Sequence, residues 1–115
     1  MAKAQALVKE AQTTRSNKRA FMVTLWKAAA ETEYAAFRIA STLGYGDYQP
    51  TNMDEDPEGD QLEIAEQLLK EAQKSLVQQP QQSYDSVRKT VTILRKLYGA
   101  EEKGNKEDVR QTIDE

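Results

Sequence analysis

An all-α fold is what this sequence predicts, on three grounds. Proline, glycine and asparagine cluster in residues 44–59 and again after residue 98, and the rest is rich in the strong helix formers Ala, Leu, Gln, Glu, Lys and Arg. Apolar residues recur at steps of three and four, the period of an amphipathic helix. Strand-like alternation is nearly absent; "TVTIL" is the only candidate, and it lies inside a helical period. The expected architecture is a small helical bundle with a long N-terminal helical region and a C-terminal antiparallel helical hairpin. It forms one domain over residues 1–99, with an acidic loop at 44–59 and a polar tail or short terminal helix at 100–115.

Each element has its own signal. Residues 2–13 are expected as the first helix, with a break or a continuation at "TTRSN". Ser16 is placed to cap a longer helix from about Asn17 to Leu43. There Phe21, Leu25, Ala28, Ala36, Ile39 and Leu43 form an apolar stripe. Met22, Trp26, Ala29, Phe37 and Ala40 are read as widening that stripe. Gly44 suits the residue after the helix, since glycine tolerates the left-handed backbone that ends one. In the next helix Leu62, Ala65, Leu69, Ala72 and Leu76 step by three and four, with Ile64 and Leu68 alongside. Asp60 with Glu63 fits a D-x-x-E cap. The last helix carries Tyr84, Val87, Val91, Leu94 and Tyr98 on one face, and Gly99 is expected to end it. The short "VQQPQQS" connection makes these two helices an antiparallel pair. Beyond Ala100 only Val109 and Ile113 are apolar, in a tail or a short helix capped by Asn105.

Composition bounds the chemistry. The chain has 115 residues, 38% hydrophobic and 30% charged, with no cysteine and no histidine. Disulfides, zinc sites of the sulfur and imidazole kind, thiol nucleophiles and Ser-His-Asp triads are therefore excluded. The expectation is a chain that is not an enzyme and holds no cofactor and no metal. A carboxylate-based Mg²⁺ enzyme would need inward-facing acids on helices, and only Glu31 and Glu33 lie near an apolar stripe. The start, "MAKAQALVKEAQ", has no apolar run of the signal-peptide type, and "AFMVTLW" is far too short to span a bilayer. A cytoplasmic protein without a membrane partner is expected.

The stretch "DEDPEGDQLE", residues 54–63, holds six acidic side chains. From Asp54 it imitates the start of a calcium loop, with Asp56, Glu58 and Asp60 at the alternating positions and Gly59 at the turn. The match then fails. Ala65 stands where a bidentate Glu is needed, Gln61 replaces an apolar residue, and Pro57 stiffens the coil. Acidic groups before a helix and in its first turn favour the positive end of its dipole, and Pro57 with Gly59 makes a turn. This segment is read as a solvated loop and a helix start. Tyr45 and Tyr48 are read as anchors packed on the bundle.

The net charge of −3 conceals segregation. Residues 1–41 carry a net +4, residues 42–66 a net −8, residues 67–98 a net +4 and residues 99–115 a net −3. Arg15, Lys18 and Arg19 form a cluster between the first two helices. Lys70 and Lys74 point outward on the third. On the last helix, at ~100° per residue, Lys89 and Lys96 point away from the core while Arg88 and Arg95 flank the stripe. These nine residues are the candidate nucleic-acid-binding set, because rows of cations on helices track a phosphate backbone without reading bases. The competing view is a solvated surface with ordinary pairs such as Glu66–Lys70.

The basic clusters "TRSNKR" and "SVRKTVTILRKLYG", set in a small all-helical, cysteine-free chain, resemble the helical small subunit of CRISPR (Cascade-like) effector ribonucleoproteins over residues 2–98. That resemblance implies a non-catalytic, multi-copy subunit in antiviral defence. It would contact nucleic-acid backbone, in a guide RNA–target complex or a displaced single strand. It would also contact other protein subunits, including further copies of itself. The family has no sharp motif, so no residue role carries over singly. The alternative is a helical protein–protein interaction module, such as an adaptor, antitoxin or regulatory subunit, without nucleic-acid binding. The hairpin is also similar to helical domains of the HEPN kind, whose nuclease members need a histidine that this chain lacks.

Overall fold

The computed structural model describes the backbone of all residues except 52, 54, 55 and 115, and side chains as far as Lys103. The described residues form four helices, α1 (Ala2–Thr13), α2 (Lys18–Thr42), α3 (Gln61–Ser75) and α4 (Pro80–Asp114), and no strand. The N-terminal region is thus two helices, not one. α1 packs on α2 and α3, and α4 packs on the same two. The contacts also fix direction. Gln12 near the end of α1 meets Glu66 near the start of α3, and Met1 packs with the cluster holding Ile39, Ala72 and Tyr84. Ser83 at the start of α4 donates to the Ala72 carbonyl near the end of α3, 2.6 Å away. Glu33 of α2 pairs with Arg95 of α4. Every adjacent pair is therefore antiparallel, and α2 and α3 run the same way on a diagonal. One long connection, residues 43–60, must climb the bundle from the end of α2 to the start of α3, the single-crossover form of a four-helix bundle.

Alanine and branched aliphatics build the interior. Val8, Leu25, Leu69 and Leu94 are fully buried, and Ala4, Ala11, Ala28, Ala36, Ala65 and Ala72 let backbones approach closely. Truncating Leu25 or Leu69 to alanine would cost about 2–5 kcal/mol. Four hydroxyl residues, Thr24, Thr32, Ser83 and Thr90, complete the core. The three threonines donate to the carbonyl four residues back, and Ser83 bonds across to α3, so none leaves an unpaired hydroxyl.

Several expectations are corrected. Asn17, not Ser16, caps α2: its backbone is extended and its side chain accepts from the Ala20 N–H at 3.1 Å. Gly44 does follow α2 with φ +80°, as the left-handed end requires. Asp60 caps α3, accepting from the N–H groups of Leu62 and Glu63. Gly99 does not end α4. Its φ is not positive, and the helix continues through Asn105 to Asp114, so no new cap forms there. The side chains of Val109 and Ile113 lie outside the described residues. At ~1.5 Å per residue α4 is roughly 52 Å long, in keeping with a molecule 57 Å in its longest dimension. Leu76, placed in the α3 stripe by spacing, is exposed where that helix ends. Trp26 and Phe37 are exposed as well, because they project from α2 away from the interior.

Candidate interaction surface

The crossover decides what the basic residues of α4 can do. It lies across the outer face of that helix, held by a ladder of side chains four residues apart. The Gln49 N–H donates to the Tyr84 hydroxyl at 3.2 Å, and Arg88 Nη1 donates to the Gln49 carbonyl at 2.9 Å. Thr92 donates to the Thr51 carbonyl at 2.8 Å. Lys96 Nζ donates to the Met53 carbonyl at 3.3 Å and pairs with Asp56 at 2.9 Å. Arg88 also pairs with Asp85 and stacks its guanidinium 4.7 Å from the Tyr84 ring centre. Tyr48 packs on Phe37 and Tyr84, and Tyr45 packs on Tyr84, so both tyrosines anchor the connection as the sequence suggests. Burial raises the Tyr48 hydroxyl above its ordinary pKa.

The remaining candidates are dispersed. Arg15 reaches from the α1–α2 turn to Asp60 at 2.8 Å, locking that turn to the start of α3. This contact, with the cap donors behind it, holds the Asp60 carboxyl below its ordinary pKa and raises that of Arg15. Lys18 and Arg19 sit beside it at the start of α2, exposed. Lys70 pairs with Glu66 at 3.2 Å on the edge of α3 that faces α1. The Gln12 amide and Lys70 together lower the Glu66 pKa. Arg95 is bound to Glu33 on the α2 side of α4. Among the described residues, Arg19, Lys74 and Lys89 are exposed and make no ion pair. The nine residues thus occupy the α1–α2 turn, the start of α2, α3 and α4, and among the described residues ion pairs engage Arg15, Lys70, Arg88, Arg95 and Lys96.

Carboxylates of the acidic segment are engaged in the same contacts. Asp56 meets Lys96, and Asp60 caps α3 while pairing with Arg15. Asp54 and Glu55, the opening of the apparent calcium loop, lie outside the described residues. Among the described residues no three acidic, histidine or cysteine side chains come together as a metal site would require. No helix among them is long and apolar enough to cross a membrane.

A different surface emerges on α2. Val23, Trp26, Tyr34 and Phe37 are 46%, 62%, 61% and 49% exposed, with exposed Ala30 in the middle. On a wheel of ~100° per residue these five fall within an arc of about 80°, opposite the buried row Leu25, Ala28, Thr32 and Ile39. α2 is therefore apolar on two faces. Trp26 borders a shallow groove with Met22 and Tyr98, and Tyr34 stacks 6.0 Å from Arg38 at the edge of another beside Met1. The sequence pattern hid this surface, since an outer stripe and a core stripe on one helix merge into a single broad apolar signal. No family model, curated protein sequence or solved structure matches this chain. The fold and surface define a single-crossover four-helix bundle with an aromatic outer helix face.

Proposed function

We propose that this chain is a non-enzymatic helical protein–protein interaction module, a cytoplasmic adaptor or regulatory subunit that docks through the outer face of α2. The observation that carries this reading is the exposed row Val23, Trp26, Tyr34 and Phe37. Aromatic side chains present about 150–250 Å² each when whole, so the three rings alone leave roughly 350 Å² in water. A patch of that order is about the largest that a typical soluble monomer leaves exposed, and such a patch is often functional. A photoreactive phenylalanine analogue at Tyr34, installed in cells, tests it. The expected product is a protein adduct from position 34 and none from an analogue at Lys74. An adduct to nucleic acid, or no adduct at 34, overturns the reading.

The second reading is a small subunit of a CRISPR-type effector ribonucleoprotein, in which Arg19, Lys74 and Lys89 would follow a phosphate backbone. Their exposure without ion pairs among the described residues supports it. Retention on a single-stranded oligonucleotide that falls steeply with salt, and is lost in K74E/K89E, would favour this reading over the first.

A further inference from the structure

The geometry points to a second copy of this chain as the occupant of the α2 face, in an antiparallel pair about Ala30; this rests on the interaction-module reading and names its partner. Four observations converge. First, the exposed stripe is palindromic in spacing: Val23, Trp26, Ala30, Tyr34 and Phe37 step by three, four, four and three. A twofold interface demands a surface that complements itself, with residue i on j and j on i. Turning one α2 over its partner about Ala30 sets Trp26 against Tyr34, Val23 against Phe37, and Ala30 against its own counterpart.

Second, the sizes fit. The smallest residue of the stripe lies on the dyad, where two helix backbones approach most closely, and bulky residues stand on either side of it. Third, Ala30 is the midpoint of α2 (Lys18–Thr42), so the pairing uses the whole helix and leaves no overhang. The extension of α4 beyond α2 then points outward at opposite ends of the pair.

Fourth, the flanking charges are complementary in this orientation. In an antiparallel pair the same flank of each helix faces itself. On the α1 side of the stripe that flank carries Arg38 near the end of the helix and, bracketing the midpoint, Lys27 and Glu31. Neither Lys27 nor Glu31 makes an ion pair among the described residues. On this shared flank Lys27 of each copy comes within two residues, about 3 Å along the axis, of Glu31 of the other, giving two symmetric contacts. On the other flank Glu33 is already neutralised by Arg95 of its own subunit, so no bare like charges meet there. The rim pairs fix register and orientation, while the aromatic contacts supply the affinity.

Sedimentation equilibrium, with the emission of Trp26 as a second readout, tests this; Trp26 is the single tryptophan of the chain. The expected result is a mass twice 13.0 kDa, with Trp26 emission moving to shorter wavelength as concentration rises. A30E puts two carboxylates on the dyad and should weaken association by about 100-fold. Its helical circular dichroism should stay unchanged, because Ala30 is exposed in the single subunit. K27E should weaken association by about tenfold and K27E/E31K should restore it, a rescue specific to the antiparallel register. A chain that stays monomeric at millimolar concentration, or a dimer indifferent to A30E, overturns the inference. A dimer that K27E/E31K fails to restore overturns the antiparallel register. In the first case a cross-link from position 34 to a different protein leaves the interaction-module reading standing, and no protein cross-link at all removes both.

Discussion

Lys96 Nζ lies 2.9 Å from Asp56 Oδ1, though the two residues are 40 apart in sequence. A cation that helical spacing aims at solvent is instead the last rung of the ladder holding the crossover to α4. The acidic segment and the basic helix are thus complementary halves of one internal structure. Their segregation in the sequence describes how the chain closes on itself as well as what it shows to a partner.

The ladder predicts where the crossover is weakest. Arg88 makes three contacts at once, to the Gln49 carbonyl, to Asp85 and to the Tyr84 ring. R88A should cost about 1–2 kcal/mol in urea unfolding. R88K should recover only part of this, because an ammonium lacks the planar fork. Hydrogen exchange should quicken at the Gln49 amide, which bonds to Tyr84, before it quickens in the core. Unchanged exchange there would show that the crossover is held by other contacts.

Asp60 predicts an acid limb of the stability curve. Its carboxyl pKa is lower in the fold than in the unfolded chain, first because of the Arg15 hydrogen bond and then because of the cap donors. The stabilisation is therefore complete above the unfolded value, near ~4, and is lost as pH falls through the lower folded value. D60N retains a capping oxygen but not the charge, so its stability should depend less on pH between about 5 and 3 than that of the parent. D60A should lose the cap as well, at a cost of about 1 kcal/mol near neutral pH. Parallel thermal melts of the three proteins across that range provide the measurement.

Much of the bundle was legible in the sequence, for identifiable reasons. Leu62, Ala65, Leu69 and Ala72 lie on one face of a helix bounded by a carboxylate cap, and the structure buries all four. Thr32 escaped because a hydroxyl reads as polar, yet it fills the step between Ala28 and Ala36 and donates a hydrogen bond to the Ala28 carbonyl. Ser83 escaped likewise, its partner being a carbonyl on another helix. Helical spacing sets Trp26 and Phe37 beside the core stripe, because residue type cannot tell an outward aromatic from an inward one. Only the positions of α1 and α4 around α2 show which face remains open. The pairing of the candidate cations was hidden too, since it depends on the crossover's path.

Adjacent residues with similar chemistry separate the two possible caps of α2. Asn17 accepts from Ala20, whereas Ser16 lies outside the helix in the turn. N17A should destabilise the protein by about 1 kcal/mol and S16A by a few tenths at most. Equal losses in chemical denaturation would mean that the two share the capping role.

Gly44 and Gly99 respond in opposite directions to the same substitution. Gly44 holds φ at +80°, where a β-carbon crowds the backbone, so G44A should destabilise by about 1 kcal/mol. Gly99 lies within α4 with an ordinary helical φ, and a β-carbon built there meets nothing within 4 Å. Alanine at that position removes unfolded-state freedom without strain, so G99A should stabilise by about 0.5–1 kcal/mol. It should also raise the helical circular dichroism, because the segment beyond Gly99 is joined more firmly to the bundle. A helix that stopped at Gly99 with a left-handed residue would give the reverse sign. One pair of denaturation curves therefore decides whether α4 runs on past the bundle or ends at Tyr98.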